Sequence, residues 1–265
     1  KIAVVTGGGS GIGRATALAL AGRGARVHVV DLRGDRSREV VEELRRHGGR
    51  GRDHGVDCTD GEAMDGLART VLAEEGRVDI LQNGVGTVVA APMEELSVED
   101  WDRLLQTNLW SVIHGVRAFL PILLRQRQGR IVNIASAAGL MGFPLTAAYT
   151  ATKFAVVGLS EVLAEELHGR GVDVTVVCPG MVNTRLLEDG HLAMPGPWAS
   201  FLEGVFSSLA ASPEHVARSI LESLERPRFM VLPSWSLRHL WRLKRWAGCA
   251  FTTLAQWGGG IAMDR

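Results

Sequence analysis

Residues 1–13 read KIAVVTGGGSGIG, a short β-branched segment followed by a glycine-rich turn. Glycines at such a turn let the backbone bend tightly and approach a pyrophosphate, whose negative charge suits the N-terminus of the next helix. A strand before the turn and a helix after it are the setting in which this pattern indicates a dinucleotide site. The alternative is an ordinary strand-to-helix turn. The candidate cofactor-binding residues of this segment are Thr6, Gly7, Gly9, Ser10, Gly11, Ile12 and Gly13.

Beyond this turn, short β-branched segments alternate with longer helical patterns, the rhythm of βαβ units and a parallel sheet. Most strand segments are apolar throughout, as expected when helices cover both faces. We predict an α/β fold, a Rossmann-type doubly wound, mostly parallel seven-stranded sheet with helices on both faces. The predicted strands are 2–6, 26–31, 51–57, 78–82, 130–135, 173–178 and 229–232. The predicted helices include 13–23, 36–47, 62–75, 98–127 and 149–167.

Two regions interrupt this alternation. Residues 186–210 are rich in Leu, Met, Pro, Gly, Trp and Phe, and residues from 234 onward are rich in Trp and Arg. We therefore predict one dinucleotide-binding and catalytic domain at 1–233, with a substrate lid near 186–210. Residues 234–265 form a C-terminal appendage.

The overall charge and the cysteines limit the function classes. Lys plus Arg and Asp plus Glu are both 29, so no basic excess points to nucleic acid. The three cysteines, Cys58, Cys178 and Cys249, are scattered and indicate reduced thiols in a cytoplasmic protein. The eight histidines form no i,i+4 pair, so no catalytic metal is expected.

The second predicted strand ends in Asp31, where a carboxylate can accept both ribose hydroxyls of adenosine and repel a 2′-phosphate. This favours NAD over NADP, although Arg14 and Arg33 lie close in sequence and could partly offset Asp31. After the third strand come Asp57 and Cys58. Asp57 either accepts a hydrogen bond from the adenine amino group or caps the next helix.

The sharpest feature lies at Tyr149 and Lys153, four residues apart on one face of a predicted helix. A lysine ammonium beside a phenol lowers the phenol pKa and makes it a usable acid/base. Tyr149 is the only tyrosine in the chain. Ser136 precedes it by thirteen residues, and Asn108 lies inside the preceding long helix. Alone, this spacing also fits a surface tyrosine beside a solvated lysine.

Together these features resemble the short-chain dehydrogenase/reductase family. The chain matches its TGxxxGxG at Thr6–Gly13, the Asp after its third strand at Asp57, and its NNAG region at 83–86. It also matches the family at Asn108, Ser136, Tyr149, Lys153, Pro179, Gly180 and Thr184. The order and spacing hold from Lys1 to about Thr184.

The resemblance implies an NAD(P)-dependent oxidoreductase that moves a hydride between a nicotinamide and an alcohol/ketone pair. Tyr149 is then the general acid/base, and Lys153 holds the nicotinamide ribose and lowers the Tyr149 pKa. Ser136 donates to the substrate oxygen, and Asn108 holds a water in a proton relay. Further cofactor contacts are implied at Asp57, Cys58, Asn83, Gly84, Pro179, Gly180, Val182 and Thr184.

One position departs from the family. Where relatives have Asn-Asn-Ala-Gly, this chain has Asn83-Gly84-Val85-Gly86. The second Asn normally braces neighbouring strands, which Gly84 cannot do, and Val85 adds two methyl groups. We expect a locally looser loop or a shifted cofactor fit.

Apolar residues in the lid and at 140–144 favour a lipophilic secondary alcohol or ketone, although they could instead close the lid onto the body. In the tail, Arg238, Arg242 and Arg245 share one helical face and Leu237, Leu240 and Trp241 another. Such a segment packs against the lid or a neighbouring subunit, or alternatively makes a weak contact with an anionic membrane surface, which would place the protein at the membrane periphery. Lys244 interrupts the apolar face. The resemblance further implies a homodimer or homotetramer paired through the two long helices.

Two other function classes remain. The chain could be a non-catalytic nucleotide-binding protein of the same fold, or a membrane-surface scaffold led by its tail. The presence of Asn108, Ser136, Tyr149 and Lys153 favours an active enzyme, because a fold without chemistry has no physical need for all four.

Overall fold

A computed structural model describes residues 1–184, the backbone of residues 191–192, and residues 210–248. The first half of the chain alternates strands and helices, as predicted. Its elements are β1 (Ile2–Thr6), α1 (Gly11–Gly22), β2 (Arg26–Asp31), α2 (Gly34–Arg46), β3 (Arg50–Gly55), α3 (Gly61–Glu75) and β4 (Ile80–Asn83). The predicted third strand ran to Asp57. It ends earlier, and Asp57 lies in the loop that follows.

The second half keeps the alternation and adds elements that we did not predict. Its elements are β5 (Val89–Ala90), α4 (Val98–Leu105), α5 (Ser111–Gln126), β6 (Gly129–Ile134), α6 (Ala147–Leu167), β7 (Val172–Val177), β8 (His191–Leu192), α7 (Pro213–Glu225), β9 (Met230–Val231) and α8 (Trp235–Ala247). The short pair β5 and β8 was not predicted, because two-residue strands leave no period in the sequence. Most of the predicted lid lies outside the described residues.

The main sheet has seven strands in the order β3-β2-β1-β4-β6-β7-β9, and every neighbouring pair is parallel. The fold is therefore the predicted doubly wound, Rossmann-type sheet. Because the chain reverses its direction of progress between β1 and β4, the loops after these strands diverge and leave a crevice at their carboxyl ends. Ligands of such sheets bind at this switch point.

Helices cover both faces of the sheet and bury its apolar side chains. On one face, Leu20 of α1 and Val40 of α2 pack against the fully buried Val27 and Val29 of β2. On the other, α3, α5 and α6 contribute Met64, Phe119 and Val156 to a larger core. Burial on both faces explains why most positions of the central strands are apolar.

Helix starts follow local capping chemistry. The Asp60 side chain accepts hydrogen bonds from the backbone N–H groups of Glu62 and Ala63 and begins α3. Ser97 and Asp100 form a reciprocal capping box at the start of α4. These caps satisfy N–H groups that lack a partner within the helix.

The helix predicted at 98–127 is interrupted. A π-helical turn, Gln106–Trp110, separates α4 from α5. Taken together, α4, the π turn and α5 (Val98–Gln126) are, among the described residues, long and apolar enough for a membrane span. Phe119 and Leu123 of this helix are fully buried in the core, as is usual for a central helix of a globular domain.

Candidate active site

The glycine-rich turn begins the site. Gly7 has φ +63°, and a side chain there would stand 2.7 Å from the carbonyl oxygen of Gly84. A Cβ at Gly13 would lie 2.1 Å from the carbonyl oxygen of Gly7. The turn is therefore folded so closely on itself that only glycine fits, and helix α1 begins at Gly11. This cradle fits the pyrophosphate of a dinucleotide.

The Asp31 carboxylate lies beside this turn at the end of β2. Its Oδ2 accepts a 3.0 Å hydrogen bond from the Gly9 N–H, and its Oδ1 accepts one of 3.0 Å from the Arg33 N–H. The Arg14 guanidinium donates to both carboxylate oxygens of Glu43 at 2.6 Å. The sequence allowed Arg14 to offset the Asp31 charge in part. In the structure its guanidinium pairs with Glu43 and not with Asp31.

Asp57 and Cys58 line the cavity in the loop that follows β3. Asp57 Oδ1 accepts hydrogen bonds from the N–H (2.8 Å) and the hydroxyl (2.7 Å) of Thr59. Because Asp60 caps α3, the alternative that Asp57 is the helix cap is wrong. Burial raises the pKa of the Cys58 thiol to about 12, so the thiol stays protonated at neutral pH.

The loop after β4 is braced from two sides. Asn83 is buried, and its Nδ2 donates to Oδ1 of Asn133 on β6 at 2.9 Å; Asn133 in turn donates to the Ser160 hydroxyl of α6 at 3.0 Å. The Thr6 hydroxyl accepts a 3.1 Å hydrogen bond from the Gly84 N–H.

Gly84 is itself tightly enclosed. A Cβ there would lie 2.8 Å from the backbone oxygen of Thr6. The expectation of a looser loop is therefore wrong: Asn83 supplies the brace between strands, and the missing side chain at Gly84 permits close packing against β1.

Tyr149 and Lys153 lie one turn apart on α6 and face the crevice, as predicted. The Lys153 ammonium lies 5.7 Å from the centroid of the Tyr149 ring and donates a 3.2 Å hydrogen bond to the carbonyl of Ile134. Ser136 follows β6 on the opposite wall, and its hydroxyl accepts from the Ala138 N–H at 3.1 Å. Ser136 lies in the loop after the strand and interacts with the Tyr149 phenol.

The pKa of Tyr149 differs from the prediction. Burial raises it, and the interaction with the Ser136 hydroxyl only partly lowers it. Burial also lowers the pKa of Lys153 to about 8. We expected the Lys153 ammonium to lower the Tyr149 pKa; instead desolvation raises it, because the phenol is withdrawn from water.

Asn108 is fully buried within the π-helical turn between α4 and α5. Its Oδ1 accepts from the Thr87 N–H at 2.8 Å, and its Nδ2 donates to the Thr87 carbonyl at 3.0 Å and to the Thr152 hydroxyl at 3.1 Å. A Cβ on Gly86 would lie 3.3 Å from Asn108 Oδ1 and 3.4 Å from Lys153 Nζ, so the three residues converge. Isolated π turns occur often at functional sites.

The loop after β7 closes the crevice from the other side. Pro179, Gly180 and Val182 line it, and the Thr184 side chain packs on Gly11, whose Cβ would lie 2.9 Å from the Thr184 methyl group. The loop after β7 and the start of α1 therefore share one wall of the site.

These groups surround one cavity of about 1590 Å³. A site for a single small molecule has roughly 300–1,000 Å³, so this cavity has room for a cofactor and a substrate together. Among the predicted residues, those that line it are Gly7, Ser10, Gly11, Ile12, Gly13, Asp31, Asp57, Cys58, Gly84, Ser136, Tyr149, Lys153, Pro179, Gly180, Val182 and Thr184. Thr6, Gly9, Asn83 and Asn108 stand behind this wall and support it.

The sequence did not indicate that residues of α8 and of the α4–α5 junction line the cavity. Trp235, Leu237 and Leu240 of α8 line it, together with Arg103 and Gln106 near the π turn. The helical spacing of the tail was visible in the sequence, but nothing there indicated which face meets the cavity. We had assigned the substrate wall to residues 186–210 and 140–144. Of that second group, Phe143 and Pro144 line the cavity, whereas Leu140 and Met141 are buried in the core.

A second group of ionisable residues lies away from the cavity. His28, Glu74 and Glu75 place ligand-type atoms within 4.8 Å of one another, which the histidine spacing did not indicate. Both carboxylates already face guanidinium groups, Glu75 with Arg26 at 3.0 Å and Glu74 with Arg52 at 2.5 Å. The group therefore acts as an ion-pair network that joins β2 and β3 to α3.

Comparison with known proteins identifies the class. Residues 1–192 match the family model described as short chain dehydrogenase. The chain is 40% identical over 218 residues to a D-threitol dehydrogenase of Mycolicibacterium smegmatis, covering 82% of this chain and 83% of that protein. It is 36% identical over 190 residues to a 3-oxoacyl-(acyl-carrier-protein) reductase of Synechocystis, covering 71% of this chain and 77% of that protein.

A solved structure agrees. A short-chain dehydrogenase/reductase from Burkholderia phymatum in complex with NAD superposes with a TM-score of 0.86 at 30% identity, covering 93% of each chain. The chain therefore belongs to the short-chain dehydrogenase family. It is an NAD(P)-dependent oxidoreductase that uses a nicotinamide cofactor and acts on a small molecule.

Proposed function

We propose that this protein is an NAD-dependent dehydrogenase that interconverts a lipophilic secondary alcohol and its ketone, with Tyr149 as the general acid/base. The observation that carries the proposal is the single cavity in which the glycine-rich turn and Asp31 are continuous with Ser136, Tyr149 and Lys153.

Tyr149 and Ser136 carry the proton chemistry in this proposal. A nicotinamide held in the cavity would supply the hydride chemistry. The Tyr149 phenol gives a proton to the carbonyl oxygen in reduction and takes it from the alcohol in oxidation. Ser136, which interacts with the same phenol, donates a hydrogen bond to the substrate oxygen where negative charge develops.

Lys153 and Asn108 support these two groups. Lys153 is fixed by the Ile134 carbonyl and presents its ammonium toward the Tyr149 ring, where it can hold the ribose hydroxyls. Asn108 connects the α4–α5 turn to Thr87 and to Thr152, the neighbour of Lys153. We propose Asn108 as a positioning residue that also holds the water of a proton relay.

The preference for NAD is supported by the geometry of Asp31. Two backbone N–H groups hold its carboxylate at the cavity wall, where a 2′-phosphate would meet a like charge. The Arg14 guanidinium is bound to Glu43 and that of Arg33 pairs with Asp35, while Arg36 also lines the cavity near Asp31.

The substrate class is argued from the cavity, because the names of the two relatives point to chemically different substrates. Its exposed lining is mainly apolar and includes Val88, Phe143, Trp235, Leu237 and Leu240. An apolar wall beside a few placed polar groups favours a lipophilic alcohol or ketone over a charged sugar.

The experiment compares Tyr149→Phe with Thr150→Val, which removes a hydroxyl from the next residue of the same helix. Reduced-nicotinamide absorbance is followed with NAD and NADP against a panel of lipophilic alcohols and ketones. We expect kcat to fall by roughly 10²–10⁴ in Tyr149→Phe, while cofactor binding by calorimetry and the Thr150→Val activity persist. Nucleotide binding with no turnover of any pair by the unmodified protein would instead favour a non-catalytic nucleotide-binding protein.

Three further assignments stay predictions. Residues 1–233 form the catalytic domain and 234–265 an appendage on it. Pairing as a homodimer or homotetramer through α5 and α6 is supported by the exposed Trp110 and Val162, and sedimentation velocity measures it. A cytoplasmic location is supported by the buried free thiols of Cys58 and Cys178.

A further inference from the structure

Helix α8 exposes large apolar side chains to solvent. Trp246 is 90% exposed, Trp235 70%, Leu243 51% and Leu240 41%, all within thirteen residues. Single exposed apolar residues are ordinary on protein surfaces, but a concentration of them indicates an interaction surface.

The opposite side of α8 is fixed to the body. Leu237 is buried, and Arg238 Nε donates a 3.0 Å hydrogen bond to the Leu232 carbonyl. Lys244 Nζ donates a 2.6 Å hydrogen bond to the Leu140 carbonyl and lies over the Phe154 ring. The sequence suggested that Lys244 interrupts the exposed apolar face. It does not, because its side chain faces the protein.

The charge around this face is of one sign. Arg242 and Arg245 are exposed beside Leu243 and Trp246. No acidic residue occurs between Glu225 and Asp264 in the sequence, although the whole chain has a net charge of zero. Cationic side chains beside exposed tryptophan and leucine match a surface that is anionic at its boundary and apolar beneath it.

We propose that α8 is a docking surface for an anionic lipid bilayer. Trp246 and Leu243 enter the boundary between headgroups and acyl chains, to a depth of roughly 5–10 Å. Arg242 and Arg245 contact the lipid phosphates. Because Leu237 and Lys244 hold the helix on the body, docking needs no unfolding of α8.

This docking surface adjoins the cavity that Ser136 and Tyr149 line. Trp235 and Leu240 are exposed and also line the cavity, so the bilayer-facing helix forms part of its wall. A bilayer-dissolved alcohol or ketone can therefore reach Tyr149 with little passage through water. This last step rests on the proposed function, whereas the docking surface does not.

The test is co-sedimentation of the full chain with vesicles of phosphatidylcholine alone or of phosphatidylcholine mixed with phosphatidylglycerol. We expect binding to the anionic vesicles only, weakened by salt because the Debye length falls from ~10 Å at 0.1 M to ~3 Å at 1 M. The double variant Leu243→Gln/Trp246→Gln should lose binding by at least ~10-fold, and Arg242→Gln/Arg245→Gln should lose the salt dependence.

Matched controls are Met93→Gln, which removes another exposed apolar side chain, and Arg69→Gln/Arg125→Gln, which removes two exposed charges elsewhere. Both should bind like the unmodified protein. Equal binding by the α8 variants and the controls would overturn the proposal, as would failure of the unmodified protein to bind anionic vesicles at low salt. It would also be overturned if Leu243→Gln/Trp246→Gln dissociated an oligomer in sedimentation velocity and vesicle binding were absent.

Turnover of a water-soluble ketone separates this proposal from the proposed function. The Leu243→Gln/Trp246→Gln variant should retain that turnover while losing vesicle binding. An unmodified protein that binds vesicles and turns over no substrate would contradict the proposed function and leave the docking surface intact.

Discussion

The Asp31 carboxylate accepts a 3.0 Å hydrogen bond from the backbone N–H of Gly9, so the acidic group at the end of β2 is fixed by the glycine-rich turn itself. Orientation of the carboxylate and shape of the turn are therefore coupled. A change at Asp31 acts on both charge and geometry, and a variant that keeps the shape separates the two.

We expect Asp31→Asn to lower the ratio of kcat/KM for NAD to that for NADP by about 10-fold or more. The amide oxygen can still accept one N–H, but the repulsion of a 2′-phosphate is lost. Steady-state kinetics with both nucleotides measures this. Asp65→Asn removes an exposed carboxylate on α3 that does not line the cavity and should leave the ratio unchanged; an unchanged ratio in Asp31→Asn itself would refute the charge argument.

Gly84→Ala should destabilise the protein by roughly 1–3 kcal/mol and weaken NAD binding, because its Cβ would meet the Thr6 carbonyl at 2.8 Å. Gly84→Asn, which restores the residue usual in the family, should do the same. Urea unfolding and calorimetry are the measurements. Gly158→Ala, where a Cβ meets nothing within 4 Å, serves as the control and should be neutral or stabilising. Tighter NAD binding in Gly84→Asn would revive the expectation of a loose loop.

The pKa of Lys153 predicts a pH dependence of stability. Burial lowers it from 10.5 in the unfolded chain to about 8 in the folded protein. Between these values the unfolded state binds more protons at this site, so Lys153 contributes a rise of about 2 kcal/mol to the free energy of unfolding from pH 8 to 10. The buried thiols of Cys58 and Cys178, whose pKa burial raises to about 12, contribute a fall over the same range, so the contribution of Lys153 is read as the difference between the unmodified protein and a Lys153 variant.

Lys153→Met should remove this rise, whereas Lys244→Met should retain it. Urea unfolding without added nucleotide, at several pH values, tests the difference. Parallel curves for the unmodified protein and Lys153→Met would show that Lys153 keeps its ordinary pKa in the folded state.

Leu240 and Leu243 lie less than one helical turn apart on α8, but of the two only Leu240 lines the cavity. Leu240→Ser should raise KM for a lipophilic substrate by roughly 10-fold, the cost of losing one apolar contact, and leave KM for NAD unchanged. Leu243→Ser should change neither constant when vesicles are absent. An equal effect of both substitutions would mean that α8 acts through stability and not as a wall of the site.

The parts of the fold that could be predicted are those with local causes. The turn from Gly7 to Gly13 follows from glycine spacing, and the strands follow from β-branched runs that are buried on both faces. The end of β3 could not be predicted, because pairing with β2 stops at Gly55 and no residue between there and Asp57 marks that point in the sequence. The π turn around Asn108 has no local signature, since its side chains suit an ordinary helix.

The chemistry of the site was likewise predictable only where it has a local cause. The i,i+4 spacing places Tyr149 and Lys153 on one face, which any helix would do. The direction of their pKa shifts depends on how far the surrounding elements exclude water, and that is set by contacts distant in sequence. The contribution of Leu240 to the cavity is likewise decided by the anchoring of Lys244 on Leu140.

The π turn Gln106–Trp110 determines how far α4 is rotated about the helix axis relative to α5. A π turn holds one residue more than an α-helical turn, and each residue of a regular helix advances the side chains by about 100°. Without that extra residue, α4 would be rotated by this angle relative to α5. Arg103 and Gln106 would then turn away from the cavity while α5 kept its place in the core. One additional residue in the chain thus determines which side chains at the end of α4 and in the π turn line the cavity.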